Sequence, residues 1–159
     1  MRQIIRVVVT VVAVMAVAFT AAAQSSDPLF GTWKLNLAKS TYDPGPPPKT
    51  PSTVKFEPWE GGIKRTFDSV DAQGKPTHQE GTYKLDGKDY PVKGAAVANT
   101  TRAYTKVSNH LEYVNKVNGK VTDAASYMVS QDGKTLAAMH KGTNAQGQTT
   151  YTLQIFDRQ

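Results

Sequence analysis

Residues 111–129 read Leu111-Glu112-Tyr113-Val114-Asn115-Lys116-Val117-Asn118-Gly119-Lys120-Val121-Thr122-Asp123-Ala124-Ala125-Ser126-Tyr127-Met128-Val129. Leu111 and Tyr113 fall on one side of the chain and Glu112 on the other, the period of two that is typical of a half-buried strand. The dipeptide Asn118-Gly119 adopts positive φ at little cost, as a tight turn between twisted strands requires. The stretch therefore predicts an antiparallel β-hairpin.

The same alternation recurs along the rest of the chain. Trp33, Leu35 and Leu37 mark a first run, and the others lie near 53–57, 62–70, 77–85, 90–93, 99–107, 111–117, 121–130, 135–142 and 149–157. Turn signals such as Asp86-Gly87 and Asp132-Gly133 separate them, and no window has a helical period. The sequence therefore predicts an all-β, up-and-down antiparallel meander of about 8–10 strands.

The edges of such a meander favour closure. An open sheet leaves two strands unpaired on one side, whereas a barrel pairs every strand. We therefore expect a closed barrel. A β-sandwich is the alternative, because periodicity does not reveal Greek-key connections.

Length and composition exclude several classes of protein. The chain has 159 residues, the length of one domain, and no cysteine, which excludes disulfides, iron–sulfur clusters, thiolate zinc sites and a cysteine nucleophile. Its 19 Lys and Arg residues outnumber 13 Asp and Glu residues. The lysines are scattered one per hairpin, so no basic groove for nucleic acid is expected.

The N-terminal residues have the pattern of an export signal. Arg2 and Arg6 precede an apolar run that ends in Ala21-Ala22-Ala23, as in a cleaved secretory signal peptide. We predict a signal peptide over 1–23, a linker over 24–30 and a barrel domain over 31–159. The protein would then be periplasmic or secreted, without a stable membrane anchor after cleavage. An uncleaved anchor is the alternative.

One proline-rich segment interrupts the strand pattern. Residues 38–52 include five prolines, which fix φ and remove backbone donors, so a stiff extended loop is expected. This loop is either a cap over one mouth of the barrel, a docking site, or a rigid connector that protects an edge.

Few residues suggest catalysis or metal binding. His78, Glu80 and His140 could form a two-histidine, one-carboxylate metal site, but histidines in this setting are more often surface or packing residues. Most acidic residues lie beside turns, where Asp favours the local backbone. The sequence lacks the Gly-x-Ser-x-Gly motif and the phosphate-binding glycine patterns. We expect neither a catalytic residue nor a metal or other cofactor.

The predicted barrel interior carries polar groups on an apolar wall. Tyr83, Tyr113, Tyr127 and Tyr151 are assigned to inward faces, where a tyrosine offers an apolar ring with a polar tip. Arg65 is also assigned inward, and a buried charge needs a partner or a ligand. These five residues form the predicted ligand site. In the alternative, the tyrosines fill the interior and no cavity remains.

The start of the first strand resembles a known superfamily. Gly31-Thr32-Trp33 resembles the Gly-x-Trp motif with which lipocalins begin their barrel. The whole mature chain is similar to a group of lipocalin-like (calycin-type) exported bacterial proteins of unassigned function. The matching stretches include Gly31–Asn36, Pro44–Pro47, Asp86–Val92, Ser130–Leu136 and Phe156–Gln159.

The resemblance implies a barrel that holds a small ligand, and it implies no catalytic residue. It also implies that an arginine near the chain end closes the barrel by stacking on Trp33. Arg158 is the expected partner and Arg102 the alternative. The chain lacks the disulfide and C-terminal helix of typical secreted lipocalins, so their ligand classes do not transfer.

Together these observations predict an exported barrel that binds a small apolar or amphipathic molecule. Arg65 favours an anionic, lipid-like acid as the ligand. The alternative is a packed barrel that serves as a protein-interaction module of the cell envelope. Oligomeric state is left open.

Overall fold

Every alternating run found in the sequence forms a strand. The computed structural model describes residues 27–144 and 146–159, so the predicted signal peptide over 1–23 and the first part of the predicted linker lie outside the described residues. The strands are β1 (Gly31–Leu35), β2 (Thr41–Asp43), β3 (Thr53–Trp59), β4 (Gly62–Val70), β5 (Pro76–Tyr83), β6 (Tyr90–Pro91), β7 (Thr100–Val107), β8 (His110–Val117), β9 (Lys120–Val129), β10 (Thr135–Thr143) and β11 (Thr149–Arg158).

These strands form one antiparallel sheet that curves almost into a closed barrel. Its order is β5-β4-β3-β1-β11-β10-β9-β8-β7-β6, with β2 beside β11. The two end strands meet through Glu80 and Lys93, whose backbone N–H groups each donate to the other's carbonyl at 3.0 and 2.9 Å. The up-and-down barrel prediction is therefore confirmed, and the sandwich alternative is excluded.

The β8–β9 hairpin shows why the sequence folds this way locally. Asn118 and Gly119 both have positive φ, 50° and 76°, as the tight turn requires. Beyond them, Tyr113 lies opposite Ala125 and Leu111 opposite Tyr127. The apolar residues of both strands therefore face the same side, which is the barrel interior.

The proline-rich segment contains one strand that the sequence analysis missed. A short 3₁₀ turn over Leu37–Lys39 leads into β2, which pairs with β11 at Thr41–Asp43. The remaining residues, 44–51, form the exposed connector to β3. Among the described residues, no helix is long and apolar enough to cross a membrane.

Residues 27–30, which fall within the predicted linker, pack against the barrel. Leu29 is buried, and its carbonyl accepts the indole N–H of Trp33 at 2.9 Å. The apolar side chains of Leu29 and Phe30 explain this position, because both cover the end of the barrel where β1 begins.

Candidate ligand cavity

The end of the barrel where β1 begins is closed by Trp33 and Arg158. The guanidinium carbon of Arg158 lies 4.0 Å from the centroid of the buried Trp33 ring. The same guanidinium donates to the carbonyls of Phe30, at 2.9 Å, and of Pro28 and Gly133. This one side chain therefore joins β11 to the N-terminal segment and to the β9–β10 turn, whereas Arg102 lies elsewhere.

We expect Arg158→Met to lower the free energy of unfolding by about 2–4 kcal/mol, because a cation–π contact and three charge-assisted hydrogen bonds are lost. Urea unfolding followed by tryptophan fluorescence measures the change. Lys34→Met, at an exposed position on the neighbouring β1, is the matched control, and it should change stability by less than about 0.5 kcal/mol. Equal stability of the two variants would refute a closing role for Arg158.

A chain of aromatic rings fills the middle of the barrel. Consecutive ring centroids lie 4.8–6.2 Å apart along the series Phe56, Tyr127, Tyr113, Tyr104, Tyr83 and Tyr90. Burial raises the pKa of Tyr83 and of Tyr127 to about 12, and it raises the pKa of Tyr113 well above its usual value. The part of the interior that these rings occupy is therefore packed.

Beside Tyr113 and Tyr127 of the aromatic chain, the interior contains a cavity of about 220 Å³. Its apolar wall includes Val54, Phe67 and Phe156. Its polar wall consists of Arg65, Gln79, Arg102, Tyr113, Asp123, Tyr127, His140 and Gln154. Two arginines and one aspartate of this lining together leave one positive charge.

Both arginines are buried, and neither has a counter-ion in the described part of the chain. Arg65 and Arg102 are each 6% exposed, and no ion pair among the described residues includes either one. Nε of Arg65 and one Nη of Arg102 have no hydrogen-bond partner there. The guanidinium carbons lie 4.8 Å from the Phe67 ring centroid and 4.7 Å from that of Tyr113. The aromatic rings orient the arginines but leave N–H groups unsatisfied.

A polar network crosses the cavity wall from β8 to β10. The Tyr113 hydroxyl donates to the Asp123 carboxylate, and Nδ1 of His140 lies 3.1 Å from the same hydroxyl oxygen. The distance from Nδ1 of His140 to Oδ2 of Asp123 is 3.6 Å. Nε2 of His140 is buried and has no partner among the described residues.

The five predicted ligand residues lie in three different places: in the cavity wall, in the aromatic chain and on the outer surface. Arg65, Tyr113 and Tyr127 line the cavity, whereas Tyr83 packs against Tyr104 in the aromatic chain. Tyr151 is wrongly placed by the sequence analysis: it is 54% exposed on the outer surface of β11. The face of β11 that points inward carries Gln154 and Phe156, because the register is one residue away from the predicted one.

The predicted ligand site does not include five polar residues that line the cavity, namely Gln79, Arg102, Asp123, His140 and Gln154. Arg102 was considered only as a partner for Trp33, but it lies over Tyr113 and Nε donates to Oδ1 of Asn115 at 3.3 Å. The position of Arg102, two residues before the apolar ring of Tyr104, could have indicated that Arg102 faces inward, since alternate residues of a strand share a face. No local signal placed His140 and Gln154 beside Asp123.

The residues considered for a metal site lie in different parts of the barrel. His78 contacts Asp68 on the outer surface, with Nδ1 2.6 Å from Oδ1, and Glu80 lies near Lys64 and Lys93. His140 faces the interior instead. The three side chains are therefore not brought together.

Comparisons with known proteins show similarity of fold only. No known protein family and no curated protein matches the sequence. The structure is similar to the fluorescent protein UnaG, with a TM-score of 0.56 and 14% identity over 82% of this chain and 96% of that one. It is also similar to the fatty acid transporter REP1-NXSQ, with a TM-score of 0.53 and 12% identity over 84% of this chain and 98% of that one.

Rv2717c from M. tuberculosis is a further structural neighbour, with a TM-score of 0.52 and 16% identity over 83% of this chain and 93% of that one. Each neighbour is matched over nearly its whole length. The barrel therefore has a calycin-type fold, as the motif in its first strand led us to expect.

Proposed function

We propose that this protein binds a small organic monoanion in the barrel, with the acidic group held by Arg65 and Arg102. The observation that carries the proposal is the pair of buried guanidinium groups that line one cavity and form no ion pair with any carboxylate in residues 27–144 and 146–159. A buried charge is costly unless it is paired, so an anionic ligand provides the missing partner.

The size of the cavity restricts the ligand. A volume of 220 Å³ equals that of about seven water molecules and is below the ~300–1,000 Å³ of most drug-sized ligand sites. The aromatic rings of Phe67, Tyr127 and Phe156 give the same cavity an apolar surface beside its charged groups. A short-chain or single-ring acid fits these properties better than a long lipid.

The site suits binding better than catalysis. Its two arginines can donate hydrogen bonds to a bound anion, and neither of them can act as a nucleophile. An acid is a reasonable ligand for a barrel of this fold, since the structural neighbour REP1-NXSQ is a fatty acid transporter. The predicted signal peptide supports an exported carrier or receptor. The interaction-module alternative is less favoured, because a packed barrel would not require unpaired interior arginines.

Isothermal titration with benzoate and with benzamide tests the proposal. These molecules have nearly the same shape, but only benzoate is charged at neutral pH. We expect benzoate to bind at least about 10-fold more tightly, the effect of one charge-assisted hydrogen bond beyond a neutral one. Equal affinities, or no detectable binding of either molecule, would refute the proposed anion site.

A further inference from the structure

We propose that His140 selects, among small acids, those that carry a hydroxyl group, because its Nε2 accepts a hydrogen bond from the ligand. This inference rests on the proposed function and defines its ligand class more closely as hydroxy acids. It comes from the polar network on the cavity wall rather than from the two arginines.

The hydrogen-bond network determines which nitrogen of His140 carries the proton. A tyrosine hydroxyl has one hydrogen, and that of Tyr113 is donated to the Asp123 carboxylate. The phenol oxygen can then only accept from Nδ1 of His140, 3.1 Å away. The proton of a neutral imidazole is therefore on Nδ1, next to both Tyr113 and Asp123.

This tautomer makes Nε2 a bare acceptor at the cavity wall. Nε2 is buried without a partner among residues 27–144 and 146–159, and His140 lines the same cavity as Arg65 and Arg102. The arginines are donors only, so they cannot satisfy a lone pair and instead attract an acid group. The cavity therefore presents two guanidinium donors and one imidazole acceptor to a single ligand.

A hydroxy acid is complementary to both features. Its carboxylate accepts from the guanidinium groups, and its hydroxyl donates to Nε2. Its single negative charge also balances the one positive charge left by the two arginines and Asp123. An acid without the hydroxyl leaves Nε2 unpaired, which is unfavourable in a buried site.

Titration of the full chain with benzoate, meta-hydroxybenzoate and para-hydroxybenzoate tests this inference. We expect at least one hydroxybenzoate to bind about 10-fold more tightly than benzoate. In His140→Phe, which keeps an aromatic ring of similar size, the ratio of hydroxybenzoate affinity to benzoate affinity should fall to about one, whatever the change in the affinity for benzoate itself. In His140→Gln, whose side-chain oxygen can accept, part of the preference should return.

The outcomes separate this inference from the proposed function. Benzoate binding without a hydroxyl preference, or a preference that persists in His140→Phe, overturns the role of His140 and leaves the anion site intact. No binding of any of the three acids overturns both.

Nitrogen NMR of the wild-type protein provides a second test that does not depend on the variants folding. We expect a proton on Nδ1 of His140, no proton on Nε2, and a shift of the Nε2 resonance when the hydroxy acid binds. A protonated ring, or a proton on Nε2, overturns the inference.

Discussion

Replacing Arg65 with methionine is expected to weaken benzoate binding by about 10- to 100-fold while making the protein more stable. The loss of affinity follows from the removal of a charge-assisted hydrogen bond, about 1.5–3 kcal/mol. The gain in stability follows because methionine can pack on Phe67 in place of the guanidinium, without a buried charge that lacks a protein partner. Even the exchange of a buried ion pair for apolar residues of similar volume often raises stability by about 1–4 kcal/mol, and Arg65 lies in no ion pair among the described residues.

Urea midpoints and titration calorimetry on the same preparations measure the two effects. Arg102→Met should behave in the same way, with a smaller gain in stability because Arg102 also bonds Asn115. Arg158→Met is the matched control, since it removes the same group from the closed end, where the guanidinium has three carbonyl partners. A destabilised Arg65→Met variant that still binds benzoate would show that Arg65 only supports the fold.

The opposite signs expected at Arg65 and Arg158 distinguish a binding residue from a structural one. Both arginines stack on aromatic rings, so the stacking contact does not separate them. What separates them is whether the chain itself satisfies the N–H groups. Stability given up for unsatisfied groups is typical of functional sites.

The barrel could be predicted because its determinants are local. The period of two assigns faces within a strand, and dipeptides such as Asn118-Gly119 mark turns, so the alternating runs and their antiparallel order are correct. The short strand β2 was missed because Thr41–Asp43 is too short for a period and is surrounded by prolines.

The candidate site could be predicted only in part, because it depends on which face of each strand turns inward. On β11 the apolar residues Tyr151, Leu153 and Ile155 suggested one face, whereas Phe156 occupies the other and is buried. A shift of one residue exchanges the two faces, so this strand was assigned wrongly. Arg65 was placed correctly because Ile63 and Phe67 on the same face are both apolar.

The network around His140 was beyond sequence reasoning for a different physical reason. Tyr113 and His140 are 27 residues apart and come from strands that do not pair directly with each other. Their contact depends on the curvature of the sheet across β9, which no local pattern encodes. The same holds for the two arginines, which come from β4 and β7.

The buried tyrosines lead to a prediction about alkaline pH. The pKa of Tyr83 and of Tyr127 is about 12 in the folded protein, mainly through burial, against an ordinary value of 10.0. Between these values the unfolded chain loses protons that the folded chain keeps, so stability falls as pH rises through this range. The contribution of each tyrosine to stability is fully present well below pH 10. It falls as the pH rises from 10 toward 12, by at most about 1.4 kcal/mol for each pH unit.

We therefore expect the free energy of unfolding to fall by about 2 kcal/mol between pH 10 and about pH 11 through these two groups alone, with Tyr113 adding to the loss. Urea midpoints measured across this range give the slope, and tyrosinate absorbance should rise together with unfolding.

The double variant Tyr83→Phe, Tyr127→Phe keeps both rings and should remove most of the slope. Tyr151→Phe is the matched control, because Tyr151 is 54% exposed on the outer surface and lies outside the buried aromatic chain. A slope that is unchanged in the double variant would mean that other groups, such as the lysines, cause the alkaline loss. The aromatic chain would then not be the element that resists ionisation.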